Sequence, residues 1–443
     1  MENKNHSFGQ APIGKLLLQQ ALPAAVGILV LSIYGIVDTI FVGRFVSSLG
    51  IATVTVVLPI SFLIASIGMS IGVGGASIIS RAFGDADDER AYHTFGNQIG
   101  MTLTLALFFV AIGYVFSEEI LKLFGGKGDV LEPAKDYFNI ILIGIPFMAW
   151  AMMCNNVIRA EGYPKVAMYT LIVPAVFNII LDPILIVWFD MGLEGAAWAT
   201  TISYMASAGY SLWFFIFGKS SMKMSIGRIK PNLKITNEIA SLGAVTFARQ
   251  GTVSVLAIVL NNELFKYGGE MGLSMYGVIS RVMMFANFPV LGITQGFVPI
   301  AGYNHGAKLQ NRVHATIRLA LRSSTLVAFM IFILILIFTG PLVSVFTADQ
   351  NLIRASIPAM RKSFLATPLL AFSLIGSAYF QAVGKAKPAL LLALSKQGIF
   401  LIPLVIIMPA FFGLEGIWYS FPLADTGAAI ISYFYLKKET KAL

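Results

Sequence analysis

Tyr34-Gly-Ile-Val-Asp38-Thr-Ile-Phe-Val-Gly-Arg44 closes an uncharged run that begins after Lys15. The run is long enough to cross a bilayer as a helix, which takes about 20 apolar residues, and a carboxylate lies within it. An ionisable side chain at that depth costs about 2.5 to 3.5 kcal/mol on insertion scales, so it reads as functional. Tyr34 stands four residues before Asp38, on the same helical face. A phenol and a carboxylate side by side can share a proton or a small cation. The plainer alternative is a structural acid satisfied by helix-end donors near an interface.

Working outward, the composition agrees with a membrane chain. Of 443 residues, 57% are hydrophobic and only 12% are charged, against about 25% charged in soluble domains. This is a polytopic membrane protein. Residues 1–12 are polar, and the apolar run that follows is too long and too poorly followed by a small-residue cleavage site to be a removable signal peptide, so it is expected to be retained as a helix. Cys154 is the one cysteine, which excludes disulfides within the chain, cysteine-rich metal sites and iron–sulfur clusters. The net charge of +9 does not indicate nucleic acid, because the basic residues cluster at the ends of apolar runs, where they set orientation.

Apolar runs of spanning length read at 15–42, 52–80, 92–116, 137–158, 164–189 and 195–218, and again at 239–262, 274–303, 314–340, 360–382, 388–411 and 415–436. Between the sets lies a basic segment with Lys219, Lys223, Arg228, Lys230 and Lys234. The expectation is an all-α protein of twelve transmembrane helices: a six-helix lobe over 1–218, a cytoplasmic linker over 219–238 and a second six-helix lobe over 239–443. The positive-inside rule puts both termini in the cytoplasm, with Arg354, Arg361 and Lys362 counting against it.

An internal repeat supports the division. Leu49-Gly-Ile-Ala52 matches Met271-Gly-Leu-Ser274, and Arg159-Ala-Glu-Gly162 matches Gln381-Ala-Val-Gly384, both 222 residues apart. Gly74 and Gly84 match Gly296 and Gly306 at the same offset, and Gly192-Leu-Glu-Gly195 recurs as Gly413-Leu-Glu-Gly416 at 221. With an even number of helices per half, such a repeat is parallel, about an axis along the membrane normal, and leaves a central cleft.

The match fails where charge is concerned. At the repeat offset, Asp38 falls opposite Leu260, and Asn178 and Asp182 fall opposite Phe400 and Leu404, so the first half alone is expected to carry the buried acids. Asn178 and Asp182 share a helix face, and Pro174 and Pro183 can bend that helix and free carbonyls. With a hydroxyl from Thr200 or Thr201, these groups would form an oxygen-rich cavity suited to a monovalent cation or an exchangeable proton. The alternative for Asn178 and Asp182 is a helix-packing hydrogen bond near the outer interface. Arg249, Arg281 and Lys396 could contact substrate or counter-charge a carboxylate, with snorkelling or a fixed ion pair favoured. Glu263 is expected just beyond the seventh helix. Met283 and Met284, with Phe285 and Phe288, suit an adaptable apolar wall, with a core or lipid-facing role the commoner use. Gly68, Gly72 and Gly74 permit close helix packing. Gly218-Lys-Ser220 lacks the first glycine of a phosphate loop, and His6, His93, His305 and His314 are too scattered to ligate a metal.

Taken together, Val37-Asp-Thr39, Asn178 to Asp182 and Gly296-Phe-Val-Pro-Ile-Ala-Gly-Tyr-Asn-His-Gly-Ala-Lys308, with Asn261-Asn262 and Tyr267-Gly-Gly269, resemble the multidrug and toxic compound extrusion (MATE) transporters of the wider MOP flippase superfamily. The resemblance covers essentially the whole chain and is strongest to the bacterial multidrug-exporting branches. It implies no enzyme and no cofactor, but antiport: organic, often cationic compounds leave while Na+ or H+ enters, by alternating access. The cation site it implies is Asp38, Asn178, Asp182 and Thr200 with Tyr34 nearby, and these would be the ligands if Na+ is the ion. Pro23 corresponds to a proline that bends when the site changes charge. Arg281, Met283 and Met284 are candidates for a substrate cavity. Another branch also uses acids of the second half, for which only Glu263 and Asp425 are available. The resemblance further implies a monomer among lipids of a prokaryotic inner membrane, with drug resistance as its consequence. The alternative is a flippase or exporter of lipid-linked or other amphiphilic metabolites; a channel or membrane-embedded enzyme is disfavoured by the absence of a catalytic cluster.

Overall fold

The structure, a computed structural model, describes residues 6–46, 48–126, 128–222 and 226–440. Lys223 and Lys441, and the side chains of His6, Thr39, Arg44, Leu49, Ile51 and Ala52, lie outside the described residues. No strand occurs among the described residues, as expected where lipid leaves the backbone only its own partners. In chain order the long helices are α1 (Ile13–Phe45), α2 (Ser48–Gly84), α3 (Asp88–Val115), α4 (Leu131–Ala160), α5 (Pro164–Trp188) and α6 (Gly192–Phe217). The run Leu233–Gly306 breaks at Gly269, at φ 57° and ψ −150°, into α7 (233–268) and α8 (270–306). There follow α9 (Gln310–Ser344), α10 (Gln350–Ser363 with Thr367–Ala382, bent by 40°), α11 (Ala386–Phe412) and α12 (Leu414–Thr440). Eight runs pass as spans by length and composition alone, nine with the bent pair. Dividing the long run at Gly269 and adding α6 and α12 completes the twelve.

The backbone carries the repeat. Gly162 and Gly384 both turn their chains at positive φ, 87° and 82°, and so do Gly192 and Gly413, at 53° and 57°. A side chain would strain these turns, which is why glycine recurs at them. Packing repeats as well. A Cβ on Gly74 would stand 2.9 Å from the Gly243 nitrogen, and one on Gly296 would stand 2.7 Å from the Ala21 nitrogen. Both members of the second pair differ from the first by 222 residues, so one helix contact is made twice.

Compactness divides the chain into two units. Among the described residues, the first holds 26–247 with 6–9, and the second holds 10–25 with 248–440. In the first unit Val57, Ile60, Phe138, Leu142 and Ile145 centre the core. Its α2 and α4 approach so closely that a Cβ on Gly68 would stand 2.6 Å from the Ala149 Cα, and one on Gly72 would stand 2.8 Å from the Met153 Cα. Small residues serve here to let helix backbones meet. In the second unit Leu260, Ile279, Met360, Leu401 and Trp418 form the core.

The segment after α6 is clipped to the first unit. Glu161, buried in the turn between α4 and α5, accepts hydrogen bonds from the Ser220 hydroxyl at 2.8 Å, the Ser221 hydroxyl at 3.0 Å and the Ser221 and Met222 amides. Burial pushes its carboxyl up to about 7, although those donors favour the charged form. Further on, Glu238 is held by Arg81 and Arg90, each at 2.8 Å. The Asn97 carbonyl accepts from the Asn232 amide at 2.8 Å and the Thr236 hydroxyl at 3.1 Å.

Two sequence expectations need correction. Glu263 lies inside α7, half-buried and 3.9 Å from Lys266, because α7 runs on to residue 268. The first half does not hold all the buried acids: Asp425 in α12 is 6% exposed. Its partner is Lys396 of α11, at 2.6 Å.

Candidate functional site

The candidate residues in the first unit come from α1, α5 and α6. On α1, Tyr34 and Asp38 share a face, and Asp38 is 7% exposed. On α5, Asn178 and Asp182 are fully buried. Pro174 lies within this helix and Pro183 follows Asp182 directly; the helix then widens into a π-helical turn over Pro183–Trp188. Proline has no N–H to give the carbonyl one turn back, so the regular hydrogen-bond ladder is interrupted at Pro183 and the wide turn begins there. Such single wide turns recur at functional positions.

Thr200 of α6 joins the two sets. The Asn178 amide nitrogen donates to the Thr200 hydroxyl at 3.3 Å, and Tyr34 is in hydrogen-bonding contact with the same residue. Asp38 and Asp182 interact electrostatically. Thr201, the other hydroxyl open to the sequence reading, instead donates to the Ile140 carbonyl at 3.1 Å, between α6 and α4. Two residues the sequence reading missed complete the surround: Tyr137 of α4 and Tyr204 of α6, both buried and both within electrostatic reach of Asp38. A tyrosine in an apolar run carries no signal of its own; only the i, i+4 pairing with an acid drew attention to Tyr34.

Hydrogen bonding decides what the site can do. Among the described residues Asp182 has no donor to either carboxylate oxygen, and Asp38 Oδ1 and Asn178 Oδ1 also lack one. Buried acceptors without donors are costly, so these oxygens are free to take a proton, a water or a cation. Two carboxylates, an amide oxygen and a hydroxyl suit a proton or a hard monovalent ion. Among the described residues no three His, Cys, Asp or Glu side chains gather as ligands for a bound metal.

The other candidates fall elsewhere. Pro23 is buried inside α1, two residues before Ala25, where that helix leaves the second unit. Met283 packs on the core of the second unit, whereas Arg281 and Met284 are exposed. Arg249 is half-buried in α7.

A family model described as MatE matches the chain twice, over residues 23–184 and 246–407. The chain belongs to the MatE family. As a MatE chain it is a multi-pass membrane transporter and not an enzyme, and the double match restates its duplication. Among curated MatE relatives, the Multidrug export protein MepA of Staphylococcus aureus (strain MSSA476) is 28% identical over 423 residues, 96% of this chain and 93% of that protein. Its namesake from Staphylococcus haemolyticus (strain JCSC1435) is 26% identical over 427 residues, with 96% and 94% covered. The MatE fold is also that of a crystallised MATE in complex with MaL6, with a TM-score of 0.94 at 22% identity over 100% of this chain and 99% of that one. A MOP superfamily transporter from Pyrococcus furiosus Vc1 (DSM3638), described as having a binding pocket of reverse polarity, gives 0.93 at 22% identity over 100% and 98%.

Proposed function

We propose that this protein is a secondary active multidrug exporter, moving organic and often cationic compounds outward in exchange for Na+ or H+ by alternating access. The observation that carries the reading is the set of buried oxygens on Asp38, Asn178 and Asp182 that have no donor among the described residues. Asp38, Asp182, Asn178 and Thr200 bind the coupling ion, Tyr34 adjusts Asp38, and Pro23 lets α1 bend as the site changes charge. The names of the MepA relatives support multidrug export. We place the protein as a monomer in the inner membrane of a prokaryote, with lobes over 1–218 and 239–443, a cytoplasmic linker over 219–238 and both termini in the cytoplasm. Surrounding lipids are its solvent.

One elementary charge entering across 100 mV supplies about 2.3 kcal/mol, enough for roughly a fifty-fold concentration ratio. Ion and substrate must favour opposite-facing states, because a ligand indifferent to conformation shifts no equilibrium. Ethidium efflux from proteoliposomes, driven separately by a sodium gradient and a pH gradient, tests the reading. One gradient is expected to drive export, with Asp38→Asn and Asp182→Asn both abolishing it. Export that survives both substitutions would overturn the site, and absence of export under either gradient would overturn the function.

A further inference from the structure

In the first unit, the hairpin of α5 and α6 carries a row of aromatic rings on its outer surface. Tyr169 of α5 meets Tyr210 of α6 edge to face at 6.3 Å between centroids, and Tyr210 stacks with Trp213 at 6.1 Å. Tyr169 is 46% exposed and Trp213 54%. Among the described residues, no protein group accepts a hydrogen bond from the Tyr169 or Tyr210 hydroxyl or from the Trp213 indole. Rings with a polar end and no protein partner for it belong at the level where hydrocarbon meets headgroup.

Two lysines stand at the end of this row. Lys165 lies one turn before Tyr169, in the first turn of α5, and Lys219 follows the end of α6 by two residues; both are exposed. The Tyr163 hydroxyl donates to the Lys219 carbonyl at 2.8 Å, which holds the end of α6 beside the start of α5. No ion pair among the described residues engages either ammonium. Glu161, the acid of the adjoining turn, is buried and occupied by its Ser220, Ser221 and Met222 donors. Two like charges held near each other without an acid repel, and an anion between them removes that cost. At a rise of 1.5 Å per residue, Tyr169 lies about 6 Å along α5 from Lys165. A headgroup layer is about 5 to 8 Å thick, so cations at phosphate depth would have these rings at the depth of the glycerol and the first acyl carbons.

We propose that this face binds one anionic phospholipid, its phosphate held between Lys165 and Lys219 and its glycerol and upper acyl chain laid on Tyr169, Tyr210 and Trp213. The site depends neither on the exported compound nor on the coupling ion.

The full chain in phosphatidylcholine nanodiscs, with a small fraction of the lipid replaced by brominated phosphatidylglycerol or by brominated phosphatidylcholine, tests it. Bromine on an acyl chain quenches a tryptophan that it touches. Subtracting the signal of Trp213→Phe, made in each background, isolates Trp213 from the other tryptophans. Each surface lysine contributes about fivefold, so brominated phosphatidylglycerol is expected to quench Trp213 with roughly twentyfold higher apparent affinity than brominated phosphatidylcholine. Lys165→Gln and Lys219→Gln each lower that preference about fivefold, and together they abolish it. Replacing Lys230 and Lys234 by Gln, which removes the same charge from exposed positions further along the chain, leaves it unchanged. Equal quenching by the two lipids overturns the proposal. So does a preference that survives the double variant at Lys165 and Lys219, or one lost equally when Lys230 and Lys234 are replaced instead.

Discussion

The Asn178 amide nitrogen donates to the Thr200 hydroxyl at 3.3 Å, and this bond leaves the Asn178 carbonyl oxygen without a donor one helical turn from Asp182. One side of the amide is fixed to α6, so the orientation of its oxygen, proposed above as a ligand of the coupling ion, is fixed with it. Orientation of that kind depends on a hydroxyl at residue 200.

Thr200→Val keeps the shape and removes the hydroxyl. A hydrogen bond of this type is worth about 1 kcal/mol, so affinity for the coupling ion is expected to fall roughly five- to tenfold. Thr200→Ser, which restores the oxygen, is expected to stay near wild type. Efflux rates against sodium concentration and against pH give the readout; identical rates in Thr200→Val and wild type would remove Thr200 from the site.

Glu161 gives a pH dependence with a definite sign. Burial raises its carboxyl from 4.5 to about 7, against the lowering by its Ser220, Ser221 and Met222 donors. Between those values the folded chain keeps a proton that the unfolded chain has lost. Stability is therefore full below the lower value and falls as pH rises toward the upper one, by at most about 3 kcal/mol. Glu161→Gln cannot titrate. Its thermal midpoint in detergent, followed from about pH 5 to about pH 8, is expected to lack this decline, and parallel curves for the two proteins would refute the assignment.

Close packing of α2 on α4 predicts opposite outcomes for one substitution at two glycines. A Cβ at Gly68 would meet the Ala149 Cα at 2.6 Å, while one at Gly251 in α7 would meet nothing within 4 Å. Gly68→Ala is expected to cost about 1 to 3 kcal/mol through overpacking, whereas Gly251→Ala is expected to gain up to about 1 kcal/mol as a better helix former. Equal melting shifts in the two variants would contradict this.

The doubly held Glu238 makes a protease experiment informative. Losing its charge releases Arg81 and Arg90, only one of which is well exposed, at about 1 kcal/mol. Trypsin is expected to cut Glu238→Gln after Arg228 or Lys230 several-fold faster than wild type. Unchanged cleavage would show that Asn97, through Asn232 and Thr236, holds the segment without help.

The parts of the site that could be read from sequence were those that are costly in lipid. Asp38 and Asp182 interrupt apolar runs, and Asn178 is tied to Asp182 by helical spacing alone. The choice between Thr200 and Thr201 needed the rotation of α6, which adjacent residues in an apolar helix do not encode. Tyr137 and Tyr204 were invisible for a related reason: tyrosine is common in such helices, and the two come from different helices. A fixed ion pair was among the readings favoured for Lys396, but its partner, Asp425 of the next helix, was named only by packing. The duplication was legible because the glycines at its turns are required by backbone angle, whatever their neighbours.

The division of α1 at Ala25 and of α7 at Phe247 bears on where the chain can be cut. These two crossings are 222 residues apart, so each half of the chain contributes its opening helical segment to the other half's compact unit. A chain severed in the linker gives two fragments, neither of which contains the whole sequence of a unit, and they must be made together to assemble.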